Sequence, residues 1–506
     1  MPSLSSLSVA LLLLAAPLGP AAAEGRSGFG FSDVAALARS AAKAPFQEPK
    51  GRIPDYLLKL SDDDWRDIRF HPEHALWRGQ GLPFEVEFFH PGGLYNRIVR
   101  INSVDARGVH PLAFSPGQFD YGRNKFASQV PQDLGYAGWR LHYPINEPGR
   151  LDEVIVFLGA SYYRAVGRHQ AFGLSARGVA VDTGLPSGEE FPWFKEFWIV
   201  TPAKAARSVE VYALLESRRV AGAYRFTITP GPRTEVDVQA RLFPRAPIAL
   251  LGVAPLTSMY LYGENSQSRR ADFRPEVHDS DGLLVALSTS TWLWRPLLNP
   301  KRINVSVFRT AHLKGFGLQQ RDRDFDHYQD LETRQDLRPS SWVVPQGNWG
   351  PGAVELVELP SPEEIYDNIV AFWSPQQPLQ PGRGTSFFYK QYWYDEDRAL
   401  SPQGRAVATR HDRGASPGSH RFVIDFTGEE LAGLPADTVL RGVITIGSGS
   451  AELLEQQVVK NPVTQGWRLV FQVRPKSEQP VALQALLTRG PQTLTETWSY
   501  VLLPES

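Results

Sequence analysis

Two stretches of the chain set carboxylates directly before an apolar run. One is Arg274-Pro275-Glu276-Val277-His278-Asp279-Ser280-Asp281-Gly282-Leu283; the other is Glu363-Glu364-Ile365-Tyr366-Asp367-Asn368-Ile369-Val370. An acid where a strand begins stands near a sheet edge or loop crown, where sites are often built. Glycoside hydrolysis needs such a pair, one carboxyl as acid and the other as base or nucleophile. The same acids also suit solvated turns, so residue type alone leaves both readings open. A third stretch, Arg321 to Asp336 (RDRDFDHYQDLETRQD), mixes both charges and reads equally as an ion-paired loop or a substrate-contacting one. The commoner machineries are absent: there is no GxSxG elbow, no HExxH helix and no phosphate-binding loop. His71 and His74 have ligand-like spacing, but Pro72 between them breaks any helix. The chain has no cysteine, which removes thiol catalysis and Cys-based zinc sites. No metal and no cofactor is expected.

The chain carries 13 Trp and 17 Tyr, enough to furnish a binding surface as well as cores. Trp292, Trp294, Trp342, Trp349, Trp373, Tyr389, Tyr392, Trp393 and Tyr394 stand beside polar residues and turn formers. Sugar rings have apolar faces and hydroxylated rims. A glucan groove therefore calls for flat aromatics together with Asp, Glu, Arg and Asn. A single Trp is more often core; the cluster as a group is read as a sugar-binding wall.

The elements that must position these groups are mostly strands. Ser32 is expected to cap a helix with Val34, Leu37, Ala38 and Ala41 on one face, and Ser61 a second carrying Trp65 and Ile68. After Gly81 come short alternating or β-branched runs: Phe84 to Phe89, Arg97 to Ile101, Trp139 to Tyr143, Val154 to Leu158, Trp198 to Val200, Val209 to Leu215, Tyr224 to Thr229 and Thr234 to Leu242. Gly and Pro are spread among them, which means many turns rather than a disordered tail. A polar stretch, 395–419, reads as a linker region with room for one strand. Beyond it six runs, Phe422 to Phe426, Thr438 to Ile446, Glu455 to Val459, Trp467 to Val473, Val481 to Leu487 and Thr497 to Leu502, suit a small immunoglobulin-like sandwich.

Composition narrows the compartment and the partners. With 53 basic and 54 acidic residues there is no basic excess for nucleic acid. Residues Val9 to Ala16 form a short apolar run followed by Ala21-Ala22-Ala23, a small-residue cleavage site. Residues 1–23 thus read as a cleavable signal peptide. Without a twin-arginine pair the Sec route is expected.

Longer motifs carry a family resemblance. FGF at Phe29, PEVHDSDGLL from Pro275, WRPLLNP from Trp294, GFGLQQRDRDFDHYQDL from Gly315, RPSSWVVPQGNWGPGAVELVELP from Arg338, DNIVAFW from Asp367, NPVTQGWRL from Asn461 and TLTETWSY near the C-terminus resemble the G and D proteins of osmoregulated periplasmic glucan biosynthesis. The signal looks more like the G branch. The resemblance spans the whole chain after the signal. It implies an all-β fold: a large galactose-mutarotase-like sandwich (24–394), the linker region (395–419) and an immunoglobulin-like sandwich (420–506). It also implies a periplasmic setting and β-1,2-glucan as ligand, with an inner-membrane glucan glucosyltransferase as a partner.

Some relatives are inverting endo-β-1,2-glucanases. The resemblance places the general acid at Asp367 and the general base at Asp279. Asp281 is a weaker candidate, since relatives can have Asn there. Trp294, Trp342 and Trp349 would stack against sugar, and Glu364 and Tyr366 would contact it. Asp367 must hold its proton near neutral pH, most simply through burial or a neighbouring carboxylate such as Glu364. Where relatives read RYDLRPS, this chain reads RQDLRPS, with Gln335 in place of a Tyr hydroxyl that would relay protons toward the base. Cleavage is therefore set against a second expectation, a non-catalytic protein that receives and guides the nascent glucan. A mutarotase-type epimerase would need a His beside a carboxylate, and His278 next to Asp279 is the nearest pair.

Overall fold

The periodic runs become strands close to where their patterns lie. Thr497–Leu502 spans the run read from the sequence, and Val481–Arg489 and Trp467–Pro475 extend theirs by two residues. The run from Arg97 shifts most. Its strand is Arg100–Asp105, because Val99 makes only an isolated bridge to Tyr136. The computed structural model describes residues 28–49, 51–266, 272–395, 400 and 403–504. The signal peptide reading lies outside them. With 46% of residues in strands and 9% in helices, the chain is all-β.

Two large sheets enclose the main core. One runs antiparallel through Glu85–Phe89, Gly138–Tyr143, Asp152–Leu158, Tyr162–Ala165, Ser175–Arg177, Leu251–Ser258, Ile369–Pro375, Gly352–Glu358 and Asn304–Thr310. The other, of fifteen strands, contains the long meander from Trp193–Val200 to Thr234–Pro244, then Thr385–Tyr394 and Ser340–Gln346. Trp139, Phe157, Leu256 and Trp373 from the first sheet share one core with Phe197, Val211, Tyr224 and Trp393 from the second. This is a face-to-face sandwich, the arrangement that buries the inward residues of both sheets.

The fifteen-strand sheet is covered on its outer side as well. In Gly282–Ala286, Leu283 and Val285 enter the main core while Leu284 and Ala286 enter a second one. The period of two along a strand forces that division. The second core holds Trp292, Trp294, Trp342, Phe422, Trp467, Phe471 and Trp498. Thr497–Leu502 joins the large sheet directly, pairing in parallel through Trp294↔Trp498. Arg405–Arg413, His420–Thr427, Trp467–Pro475 and Ala451–Lys460 form a separate four-stranded sheet. Its first strand lies inside the polar stretch read as a linker region.

The helix caps divide. Ser61 Oγ accepts the Asp64 N–H at 3.2 Å and caps Asp62–Arg66 as expected. Ser32 does not cap. Phe31–Lys43 begins after Gly30, whose N–H donates to Asp33 Oδ2 at 2.8 Å. Val34, Ala35 and Ala38 are its buried residues, and Leu37 stays exposed. No helix among the described residues is long and apolar enough to cross a membrane.

Candidate functional site

Asp279 and Asn368, the residue after Asp367, are moored to one short segment. Asp279 follows the strand Val277–His278, and its N–H donates to the Met259 carbonyl at 2.9 Å. The next residue, Tyr260, is gripped by Asn368. The Tyr260 N–H donates to Asn368 Oδ1 at 2.8 Å, and Asn368 Nδ2 donates back to the Tyr260 carbonyl at 3.0 Å. Nδ2 also reaches the Leu359 carbonyl at 3.1 Å. Asn368 is buried, so each of these bonds also satisfies a desolvated group. It fixes the start of Ile369–Pro375 and leaves Asp367, one residue earlier, exposed.

Arg338 pairs with one of the two acids. Its guanidinium forms an ion pair with the buried Asp279 carboxylate. Burial and the nearby Arg164 pull the Arg338 pKa down to about 10, while the charges of Glu364 and Asp367 push the other way. Gly173 gives this side chain its room. A Cβ there would stand 2.9, 3.0 and 3.1 Å from three Arg338 side-chain carbons. Arg338 was not among the candidate residues, although it opens the RPSSW motif. Its role becomes visible only once the fold brings it to Asp279.

Glu364 is already engaged. Arg274 holds it at 2.8 and 3.2 Å and also binds Asp272 at 2.8 Å and Asp330 at 3.0 Å. Asp367 is exposed, so neither burial nor a free neighbouring carboxylate is in place there. Tyr366 is exposed beside it.

Trp294 and Trp342 do not form a sugar wall. They are 4% and 3% exposed. The Arg321 guanidinium covers Trp294 at 3.6 Å, and Trp342 stacks on Trp292 at 5.7 Å. Leu293 faces the main core, so Trp292 and Trp294 must face the second. Trp349 is partly buried, with Nε1 donating to the Phe388 carbonyl at 3.2 Å and the ring set edge-on to Phe387 and Tyr389.

His278, next to Asp279 in sequence, is buried. Its two ring nitrogens lie 2.9 Å from Glu276 Oε2 and 3.0 Å from Gln320 Oε1, and it stacks on Tyr260. A histidine held this way has no nitrogen left for substrate, which removes the basis of the epimerase reading. Gln320 Nε2 reaches Tyr328 Oη at 2.9 Å and the Gln335 carbonyl at 3.1 Å. Gln335 is fully buried, and among the described residues its side-chain oxygen and nitrogen have no hydrogen-bond partner. Glu276, Asp322 and His327 set one donor atom each within 4.8 Å of one another, the spacing of a cation site. Both carboxylates there already have partners, Glu276 on His278 and Asp322 on His327 at 2.6 Å.

Asp281 is held by two backbone donors. Its Oδ2 accepts the N–H groups of Arg321 at 2.8 Å and Asp322 at 2.9 Å. Oδ1 is shut off from solvent without a partner, although the residue as a whole is partly exposed. Burial raises its pKa from 3.8 to about 6, against the pull of His278. A carboxyl raised in the folded state stays protonated while the unfolded chain has already ionised. Stability therefore falls as pH rises from about 4 to about 6. A rise of that size corresponds to about 3 kcal/mol. Asp281→Asn keeps an acceptor for both N–H groups, so the variant should be more stable than the parent at pH 7 by up to that amount and equal to it below pH 4. Urea denaturation across this range measures the difference.

The family described as periplasmic glucan biosynthesis protein, MdoG, matches residues 29–502. A protein named Glucans biosynthesis protein G, from Ralstonia nicotianae (strain ATCC BAA-1114 / GMI1000), is 46% identical over 509 residues, which cover 98% of this chain and 99% of that protein.

Proposed function

Because the chain belongs to the MdoG family of periplasmic glucan biosynthesis proteins, we propose that it binds β-1,2-glucan across Asp279, Arg338 and Asp367 and cleaves it with inversion. The observation that carries this reading is that Asp279 and Asn368, the neighbour of Asp367, are moored to Met259 and Tyr260, with Arg338 paired to Asp279. Asp367, being exposed, is free to meet a glycosidic oxygen and give it a proton. Asp279 takes a proton from the water that attacks the anomeric carbon from the opposite face. An inverting pair stands about 6.5–9.5 Å apart, which leaves room for that water.

Two observations favour the non-catalytic reading. Arg338 ties up the would-be base, and Gln335 offers a buried amide where a hydroxyl relay would stand. On that reading the same acids bond sugar hydroxyls, and the protein receives the nascent chain from an inner-membrane glucosyltransferase. The two readings part on one assay. Linear β-1,2-glucan incubated with the purified protein should yield new reducing ends whose first-formed anomer is α. Tight binding without new reducing ends would establish the receiver role instead.

A further inference from the structure

The segment that moors Asp279 and Asn368 continues past Tyr260. It runs through Tyr260–Tyr262 into a turn at 263–266, where the Gly263 N–H donates to Ser266 Oγ at 3.1 Å and the Ser266 N–H to the Gly263 carbonyl at 2.9 Å. The turn is fastened back onto Tyr260, whose hydroxyl donates to Asn265 Oδ1. Asn265 Nδ2 donates in turn to the Leu297 carbonyl at 3.0 Å. Tyr260 and Asn265 are both buried, and a Cβ on Gly263 would stand 2.6 Å from the Tyr260 hydroxyl. The turn and the mooring residues are therefore held as one piece.

Glu264, in that turn, reaches out of the large sandwich. Its Oε1 accepts the Thr409 N–H, and its Oε2 lies 3.1 Å from Arg410 Nη2. Both partners belong to Arg405–Arg413, an edge strand of the separate four-stranded sheet. An edge strand carries a row of N–H groups that its own sheet leaves unpaired. Thr409 is buried, so its N–H needs an acceptor from outside the sheet, and Glu264 is that acceptor. Arg410 is set from its other side by Asp425 at 3.1 Å, and Arg468 grips the buried Asp425 at 2.7 and 2.8 Å. The Thr409 hydroxyl accepts Trp498 Nε1 at 3.0 Å. The receiving end is thus fixed by contacts within its own domain.

A second contact stands on the other side of Asp279. The Arg321 N–H is one of the two donors to Asp281, and the Arg321 guanidinium donates to the Ala406 carbonyl at 2.7 Å and to Glu496 at 2.5 and 3.1 Å. Glu496 also accepts the Ala406 N–H at 2.9 Å. Between the two contacts lies a cavity of about 30 Å³, with Glu276 and Asp281 on one side and Ala408 and Thr409 on the other. The edge strand of the C-terminal sheet therefore stands directly against the residues that flank Asp279.

We infer that Glu264 is a positioning residue: through its bonds to Thr409 and Arg410, the C-terminal sheet sets the place of the Met259–Tyr260 segment and with it the relative position of Asp279 and Asp367. The inference rests on reading those acids as the cleaving pair. It gives the C-terminal domain a part in the reaction although that domain supplies no reacting group.

The test compares Glu264→Ala with Glu264→Gln. Burial raises the Glu264 pKa to about 8, against the pull of Arg410 and the Thr409 N–H, so near neutral pH an amide can replace it as the acceptor. In Glu264→Ala, kcat for reducing-end release from β-1,2-glucan should fall about 10- to 100-fold, the weight of a small misplacement of reacting groups, while KM stays within about twofold. Glu264→Gln should recover most of that loss. Hydrogen exchange adds a readout that needs no turnover. The amides of Tyr260 and Asp279 should exchange faster in Glu264→Ala, while those of Val220–Thr229, in the main core, stay as in the parent. Arg410→Met, at a half-exposed position, should act in the same direction and replaces Glu264→Ala if that variant does not fold. An unaltered kcat, a loss carried by KM alone, unaltered exchange at Tyr260 and Asp279, or faster exchange that includes Val220–Thr229 overturns the inference. If the parent itself releases no reducing ends, the cleavage reading falls, and the positioning role stands or falls on the exchange result alone.

Discussion

Asp367→Asn should lower the rate of reducing-end release from β-1,2-glucan by about 10²–10⁴, the usual weight of a general acid or base. Binding should persist in the same variant, because the amide keeps an acceptor and Asn368, not residue 367, fixes the loop. Asp279→Asn should cost a similar factor. A cleavage rate in Asp367→Asn equal to that of the parent would remove Asp367 from the chemistry. The pairing of a large rate effect with unchanged affinity distinguishes a proton donor from a hydroxyl-binding residue, whose loss would weaken binding as well.

The second large effect lies in stability. Arg338→Met leaves the Asp279 carboxylate buried without its counter-charge. Removing one partner of a buried ion pair typically costs about 3–5 kcal/mol. The Arg338 and Asp279 side chains are 15% and 8% exposed, so solvent screens the pair little. Adding Asp279→Asn removes the uncompensated charge, and the double variant should recover much of the loss. With Asp279→Asn measured alone as well, the coupling energy follows from the double-mutant cycle, read from urea unfolding. A single variant that costs under about 1 kcal/mol would mean that the pair behaves as an exposed one.

Much of the fold was legible because strand period and turn residues act locally. Thr497–Leu502 and Val481–Arg489 follow directly from alternation in the chain. The site was legible only in part. Its acids stood out as carboxylates before apolar runs, yet they became a pair through resemblance rather than residue type. Arg338 and Asn368 act through contacts made far away in sequence, with Asp279 and Tyr260, and no local pattern announces such contacts.

The tryptophans misled for a physical reason. A strand buried on both faces sends alternate residues into two cores, so TWLWRP looks like aromatics beside polar groups. Glycines were the available signal. A Cβ on Gly282 would stand 2.2 Å from the Trp294 ring, and one on Gly315 would stand 2.4 Å from the Trp342 ring. Each ring lies flat over a bare backbone, which is a core arrangement.

The measurement that tests the central claim most directly is a crystal structure of Asp367→Asn protein with a long β-1,2-glucan. The account places one glycosidic oxygen within about 2.6–3.2 Å of the side-chain amide introduced at position 367 and an ordered water between Asp279 and the adjacent anomeric carbon. A glucan bound elsewhere, or one whose glycosidic oxygens all lie out of reach of residue 367, would contradict it.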